Sequence, residues 1–222
     1  MSQQKKQGRP KSEEKSRQIL IAASQLFLEE GFAKTSMDNV AKASGVSKQT
    51  VYSHFENKDV LFQAAISSKC RSYQLDTDEL CELPLTSASF EECLIKIGVQ
   101  FVRLIQDPQT IGIFRVIIAE AVNNPHVASL FYQAGPQASL DALGQLIFKL
   151  SEDPQTGQND LTKARANQLA LDYCALLKGE FHTLLLCGLH SPMTDAQTYQ
   201  YAKQAAEKIS VLFTYFTHQE SS

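Results

Sequence analysis

Between Thr35 and Phe62 the chain reads TSMDNVAKASGVSKQTVYSHFENKDVLF, three short helical patterns with barely enough residues between them to turn the backbone. Helices of about seven residues do not persist alone in water, so these three must pack on one another and on a further element. The first pattern starts at Ser36, whose hydroxyl can cap free amides, with Asp38 in the first turn where the helix dipole favours an anion. It stops near Ser44. Gly45 reaches positive φ without penalty, so Ala43-Ser44-Gly45-Val46 is expected to form a tight turn with Val46 tucked beneath it. Ser47 then caps a second helix bearing Lys48, Gln49, Thr50 and Tyr52. Asn57 caps a third, which opens with Lys58 and Asp59 and runs into Val60, Leu61 and Phe62. The pattern is that of a helix-turn-helix at about 36–55, and its second helix carries donors and acceptors on a rod thin enough for a DNA major groove.

Charge agrees with that geometry. Residues 1–75 hold 12 Lys and Arg against 7 Asp and Glu, net +5, whereas residues 76–222 hold 9 against 17, net −8. A basic head on an acidic body fits an anionic partner at one end only. Residues 1–12 lack apolar periodicity and are read as a flexible basic arm. Helix 1 is expected to start after Ser12 as N-cap, to turn Ile19, Ala22, Ala23, Leu26 and Phe27 to the core, and to end at Gly31.

Past 76 the chain reads as one long helical body. Ser89 to Glu92 forms a capping box, and Asp107-Pro108 and Asn124-Pro125 each place a cap before a proline at the first helical position. Gly135-Pro136 is expected to interrupt a helix. A loop at 151–159 precedes a long apolar helix to about Leu189, and Thr194 with Gln197 caps the last one, which ends near Phe216. No strand pattern survives. The fold class is therefore all-α: a three-helix head over 13–73 and a larger bundle over 76–222, nine to ten helices in all.

The last two long helices carry stripes at 3–4 spacing: Tyr173, Leu177, Phe181 and Leu184 on one, and Tyr199, Ala202, Ala206, Ile209, Phe213 and Phe216 on the other. Such seams serve either a chain's own core or a partner helix.

Five cysteines, Cys70, Cys81, Cys93, Cys174 and Cys187, show no CxxC spacing. The expectation is small buried residues in a reducing cytosol, with neither a disulfide framework nor a metal site. No apolar run reaches the ~18 residues of a membrane span, which points to a cytoplasmic protein. The sequence holds no GxSxG, no phosphate-binding loop and no ligand pair with supporting spacing, so neither catalysis nor a cofactor is indicated.

The run as a whole resembles the tetracycline-repressor-like (TetR) family of bacterial transcription regulators. The resemblance rests on Ile19 to Phe27, Glu30-Gly31-Phe32, Thr35-Ser36, Val40-Ala41, Ser44-Gly45-Val46, and Tyr52 through His54-Phe55, Asn57-Lys58 and Leu61-Phe62. It implies phosphate contacts at Ser36, Tyr52, His54 and Lys58. Side-chain chemistry suits Lys48 to guanine, Gln49 to adenine and Thr50 to the thymine methyl, with Ser47 counted among the DNA-binding residues as their cap. Gly8-Arg9-Pro10-Lys11 looks like elements that place arginine in a narrow minor groove, making Arg9 and Lys11 arm contacts. The family further implies a homodimer through the two striped helices, an inverted-repeat operator in double-stranded DNA, and release by a small-molecule effector. Repression is the more frequent outcome; activation, or switching by cysteine oxidation or a protein partner, is the alternative. Residues 114–136 resemble the AefR-like subgroup. Polar or amphipathic residues set in its apolar helices, Arg103, Arg115, Glu120, His126, Tyr132, Tyr173 and His182, are the effector-pocket candidates, and their apolar surroundings favour an amphipathic or aromatic effector.

Overall fold

A computed structural model describes residues 12–73, 87–152 and 160–220. Among them are ten α-helices, of which α7 and α8 are joined into one rod by a π turn. No strand occurs in these residues. The chain divides into two compact units, 1–66 and 67–222.

The first unit contains α1 (Glu13–Lys34), α2 (Met37–Ser44), α3 (Lys48–His54) and the start of α4 (Lys58–Ser72). Its core is built from Ile19, Ala23 and Phe27 of α1, Val40 and Ala41 of α2, Val51 of α3, and Leu61 and Phe62 of α4. Phe27, Phe32 and Phe62 form a mutual aromatic cluster with ring centroids 5.0–5.8 Å apart. Burial of each such side chain contributes about 1.5–3 kcal/mol, which is what makes helices this short persist. Gly31 at φ 78° breaks the regular run of α1, and the Thr35 hydroxyl and amide both donate to its carbonyl. Ser12 makes no side-chain cap bond, contrary to expectation; α1 starts on backbone bonding and the acidic pair Glu13 and Glu14 alone.

The second unit contains the end of α4, then α5 (Ser87–Ile105), α6 (Pro108–Ala121), α7 (Pro125–Tyr132), a π turn (Gln133–Gln137), α8 (Ala138–Lys149), α9 (Lys163–Leu186) and α10 (Asp195–Glu220). α10 packs chiefly on α5, and α8 on α9. The Ser89 capping box lies outside the described side chains. Gly135-Pro136 does not interrupt its rod. The π turn absorbs the amide that proline lacks, and Ser67 Oγ donates to the Ala134 carbonyl beside it at 3.2 Å. Asn124 starts α7 without a side-chain cap bond, so the proline alone sets that start. Asp107 does cap α6, and Thr194 and Gln197 cap α10 reciprocally.

The division between the two units falls inside α4, between Ile66 and Ser67. The last turns of α4 are tied into the body. Lys69 pairs with Asp107 at 2.9 Å and the Tyr73 hydroxyl donates to the same carboxylate at 2.8 Å. Burial works against the Asp107 carboxylate, but Lys69, the Thr110 amide and Tyr73 outweigh it and hold its pKa below the ordinary value. Burial and the adjoining Asp107 push the Tyr73 phenol up to about 12.

The cysteines depart from expectation at several positions: Cys93 is disulfide-bonded, and of the free thiols Cys174 is buried but Cys70 is half-buried and Cys187 exposed. No helix among the described residues is long and apolar enough to cross a membrane.

Candidate nucleic-acid interface and effector site

The turn between α2 and α3 fixes how α3 is displayed. Ser36 Oγ accepts from the Asn39 amide at 3.1 Å and starts α2; Gly45 ends it in the left-handed region at φ 71°. Ser47 Oγ accepts from the Thr50 amide at 3.1 Å and starts α3 two residues later. Val51, fully buried, nails α3 to the head core, so the opposite side of this helix is turned to solvent. On it Lys48, Gln49 and Tyr52 are exposed, and Thr50 and His54 are half-buried.

Several of the expected DNA contacts already have partners within the head. Lys48 Nζ pairs with Asp38 of α2 at 2.5 Å. Both side chains are exposed, so the pair contributes roughly 0–1 kcal/mol, too little to hold Lys48 from a stronger anion. Thr50 Oγ1 hydrogen-bonds Ser47 Oγ at 2.8 Å, so both hydroxyls also serve the cap. Lys58 Nζ donates to the Phe32 carbonyl at 2.8 Å and lies 4.3 Å from the Phe32 ring centroid, directed at the end of α1. Asn57 Oδ1 caps α4 at the Val60 amide. Arg9 and Lys11 lie outside the described residues.

The effector candidates separate into two groups. Arg103 is ion-paired to Asp195 at 2.8 Å. Arg115 donates to the Leu185 and Leu186 carbonyls at 2.9 and 2.8 Å, closing the end of α9. Tyr173 is fully buried, and its hydroxyl donates to the Leu94 carbonyl at 2.5 Å through the space that Gly98 leaves open. Arg103, Arg115 and Tyr173 thus each have a partner within the bundle. Tyr132 and His126 are exposed.

Glu120 and His182 remain. Glu120 Oε2 and His182 Nε2 are buried atoms without a hydrogen-bond partner. An unpaired buried polar atom costs about 1–3 kcal/mol, so such atoms need a reason. His182 is 7% exposed and stands edge-on to Phe114, centroids 5.2 Å apart; Phe114 stands edge-on to Phe131 at 4.9 Å. Burial, with the nearby Lys178 charge, lowers the imidazole pKa to about 4, so the ring is neutral at pH 7. Sequence reading singled out His182 but not Phe114 or Phe131, whose separation in sequence hid their contact across α6, α7 and α9. No group of three or more His, Cys, Asp or Glu among the described residues is placed to hold a metal ion.

The stripe expected at a dimer seam is largely turned inward. Tyr173, Leu177, Phe181, Ala202, Ala206 and Ile209 are all buried in the core of their own chain. Their burial free energy is already gained in one protomer, so a partner cannot gain it again. Leu184, Phe213 and Phe216 are half-buried, and Phe213 stacks on Phe90 at 3.9 Å. Tyr199 is exposed, as are Val211 (70%) and Tyr215 (55%) on the outer side of α10.

A capped, core-anchored helix-turn-helix carried by an all-helical body defines a DNA-binding transcriptional regulator rather than an enzyme. Residues 19–65 match the family model described as bacterial regulatory proteins, tetR family, and residues 92–211 match the AefR-like transcriptional repressor C-terminal domain. The chain belongs to the TetR family of bacterial transcriptional regulators. Among solved structures it resembles the Flavonoid-responsive Regulator FrrA, at 31% identity and TM-score 0.62, over 90% of this chain and 97% of that one. A TetR-family regulator from Mesorhizobium loti MAFF303099 shares the fold at 22% identity and TM-score 0.65, over 90% and 96% of the two chains. Among curated relatives, the HTH-type transcriptional activator FasR of Mycolicibacterium smegmatis is 41% identical over 54 residues, 24% of this chain and 25% of that protein. YhgD of Bacillus subtilis is 38% identical over 64 residues, 29% and 34% of the two. The chain thus spans about a quarter to a third of these curated relatives' length.

Proposed function

We propose that the protein is a cytoplasmic repressor that binds an inverted-repeat operator as a homodimer and leaves it when an uncharged aromatic small molecule occupies the helical body. The observation that carries the DNA-binding part is α3 itself: a helix capped by Ser47, anchored by Val51, and presenting Lys48, Gln49 and Tyr52 to solvent. Lys48 and Gln49 read bases, with the Thr50 methyl beside them. Ser36, Ser47, Tyr52, His54 and Lys58 lie along the phosphate path, and Arg9 and Lys11 add minor-groove contacts. Repression is supported by the AefR-like repressor match over the body. The aromatic effector is supported by the likeness to a flavonoid-responsive regulator and by the neutral His182 ring, which stands edge-on to Phe114. The partner copy covers the outer face of α10 at Val211, Leu212 and Tyr215, the large apolar side chains its own core leaves exposed.

Selection of bound sequences from a random duplex pool tests this reading. A palindromic consensus supports dimer and motif together, and no enrichment refutes the central claim. Activation is the second reading, favoured by a 54-residue likeness to an activator. A reporter driven by the selected operator, with the gene present and deleted, decides the sign.

A further inference from the structure

We infer that His182 is the hydrogen-bonding determinant of the effector site and selects an uncharged aromatic ligand bearing a hydroxyl, which it meets through Nε2 beside Phe114 and Phe131. The inference rests on the reading that the body takes a small-molecule effector and adds which atom recognises it. Three observations converge on His182. Its Nε2 is buried and unpartnered, on a side chain only 7% exposed. Its ring continues an aromatic wall in which each ring meets the next edge-on, His182 to Phe114 and Phe114 to Phe131, at 5.2 and 4.9 Å. Finally, it sits just past a break in α9, where Gly179 takes φ 45° and ψ −155°. A Cβ at Gly179 would stand 2.6 Å from the Tyr201 hydroxyl, which donates to the Leu176 carbonyl at 3.1 Å. The break therefore separates Glu180–Leu186 from the regular helix before it, and that short segment carries His182 to Phe114 of α6.

The ligand class follows from the chemistry of the ring. Burial keeps the imidazole neutral at pH 7, so the ring itself gives a carboxylate no ion pair, and a carboxylate taken into that buried position would lose its hydration. Neutral imidazole has one donor nitrogen and one acceptor nitrogen, and a hydroxyl, which both donates and accepts, satisfies Nε2 in either tautomer. Aromatic edges and faces along Phe114 and Phe131 suit a planar aromatic body.

The test uses the full-length protein and isothermal titration calorimetry with flavone, 7-hydroxyflavone and 4′-hydroxyflavone. Wild type should bind at least one hydroxylated probe roughly ten-fold tighter than flavone, the worth of one buried hydrogen bond. His182→Leu should abolish that preference while leaving flavone binding within about three-fold, and its thermal midpoint without ligand should stay level or rise. His182→Gln, which keeps a donor and an acceptor, should restore most of the preference. A preference unchanged in His182→Leu, or absent in wild type, overturns the assignment while the effector reading stands. The assignment falls equally if His182→Gln loses as much as His182→Leu, since packing rather than a hydrogen bond would then be the cause. If wild type binds none of the three, the flavone-type effector reading falls as well.

Discussion

Substituting Gly45 isolates the cost of one backbone conformation, because an added Cβ there meets no heavy atom within 4 Å. Gly45→Ala therefore introduces no clash, and only the φ of 71° is at issue. Holding an L-residue in the left-handed region costs about 1–2 kcal/mol. Restricting the unfolded chain returns about 0.4–1 kcal/mol. The net loss should be about 1 kcal/mol, confined to the first unit. Gly45→Asn should lose less, since asparagine tolerates this region. Native-state hydrogen exchange on the full chain reads the loss directly. Amides of α2 and α3 that exchange by unfolding of the head should lose roughly five-fold in protection, with amides of α9 and α10 unchanged. Full protection in Gly45→Ala would mean that the turn does not hold this residue at positive φ. A loss above about 3 kcal/mol would mean a clash that the geometry excludes. Either result refutes the reasoning.

Phe62→Ala opens a cavity in the cluster with Phe27 and Phe32 and should cost about 3–5 kcal/mol, read by chemical denaturation of the head, with the body's transition unmoved. Lys48→Ala should weaken binding to the selected operator and relax the preference at one base pair by about 1–3 kcal/mol, measured by fluorescence anisotropy against single-base variants. An equal loss on every sequence would assign Lys48 to phosphate instead. His182 gives a pH dependence of definite sign. Its folded pKa of about 4 lies below the unfolded 6.5, so between those values the unfolded chain binds a proton that the folded one does not. Stability should fall by up to about 1.4 kcal/mol per unit as pH drops through that window, and His182→Leu should remove this contribution.

Local chemistry made the head legible. Ser36, Gly45, Ser47 and Asn57 each act within three or four residues of their own position, so their roles as caps or turn follow from neighbours in sequence. Helix starts at Asp107 and Thr194 were readable for the same reason. Where sequence reading failed, the competing partner was distant. Gly135-Pro136 reads as an interruption until the π turn and Ser67, 67 residues before Ala134, complete its bonding. The partners of Arg103 and Arg115, Asp195 and the carbonyls ending α9, lie about 70 to 92 residues away and were likewise invisible in sequence. The heptad-like stripe on α9 and α10 was real, but periodicity gives a face without saying what covers it. Here α5 and the protomer's own core cover it.

Sequence by itself thus determined the fold class, the helix-turn-helix and the residues α3 exposes, because periodicity, capping and left-handed glycine are local in their physics. Only the tertiary structure decided which of the candidate polar side chains are already hydrogen-bonded. That depends on which donors and acceptors long-range packing has already satisfied, and His182 and Glu120 are distinguished from Arg115 and Tyr173 by nothing else.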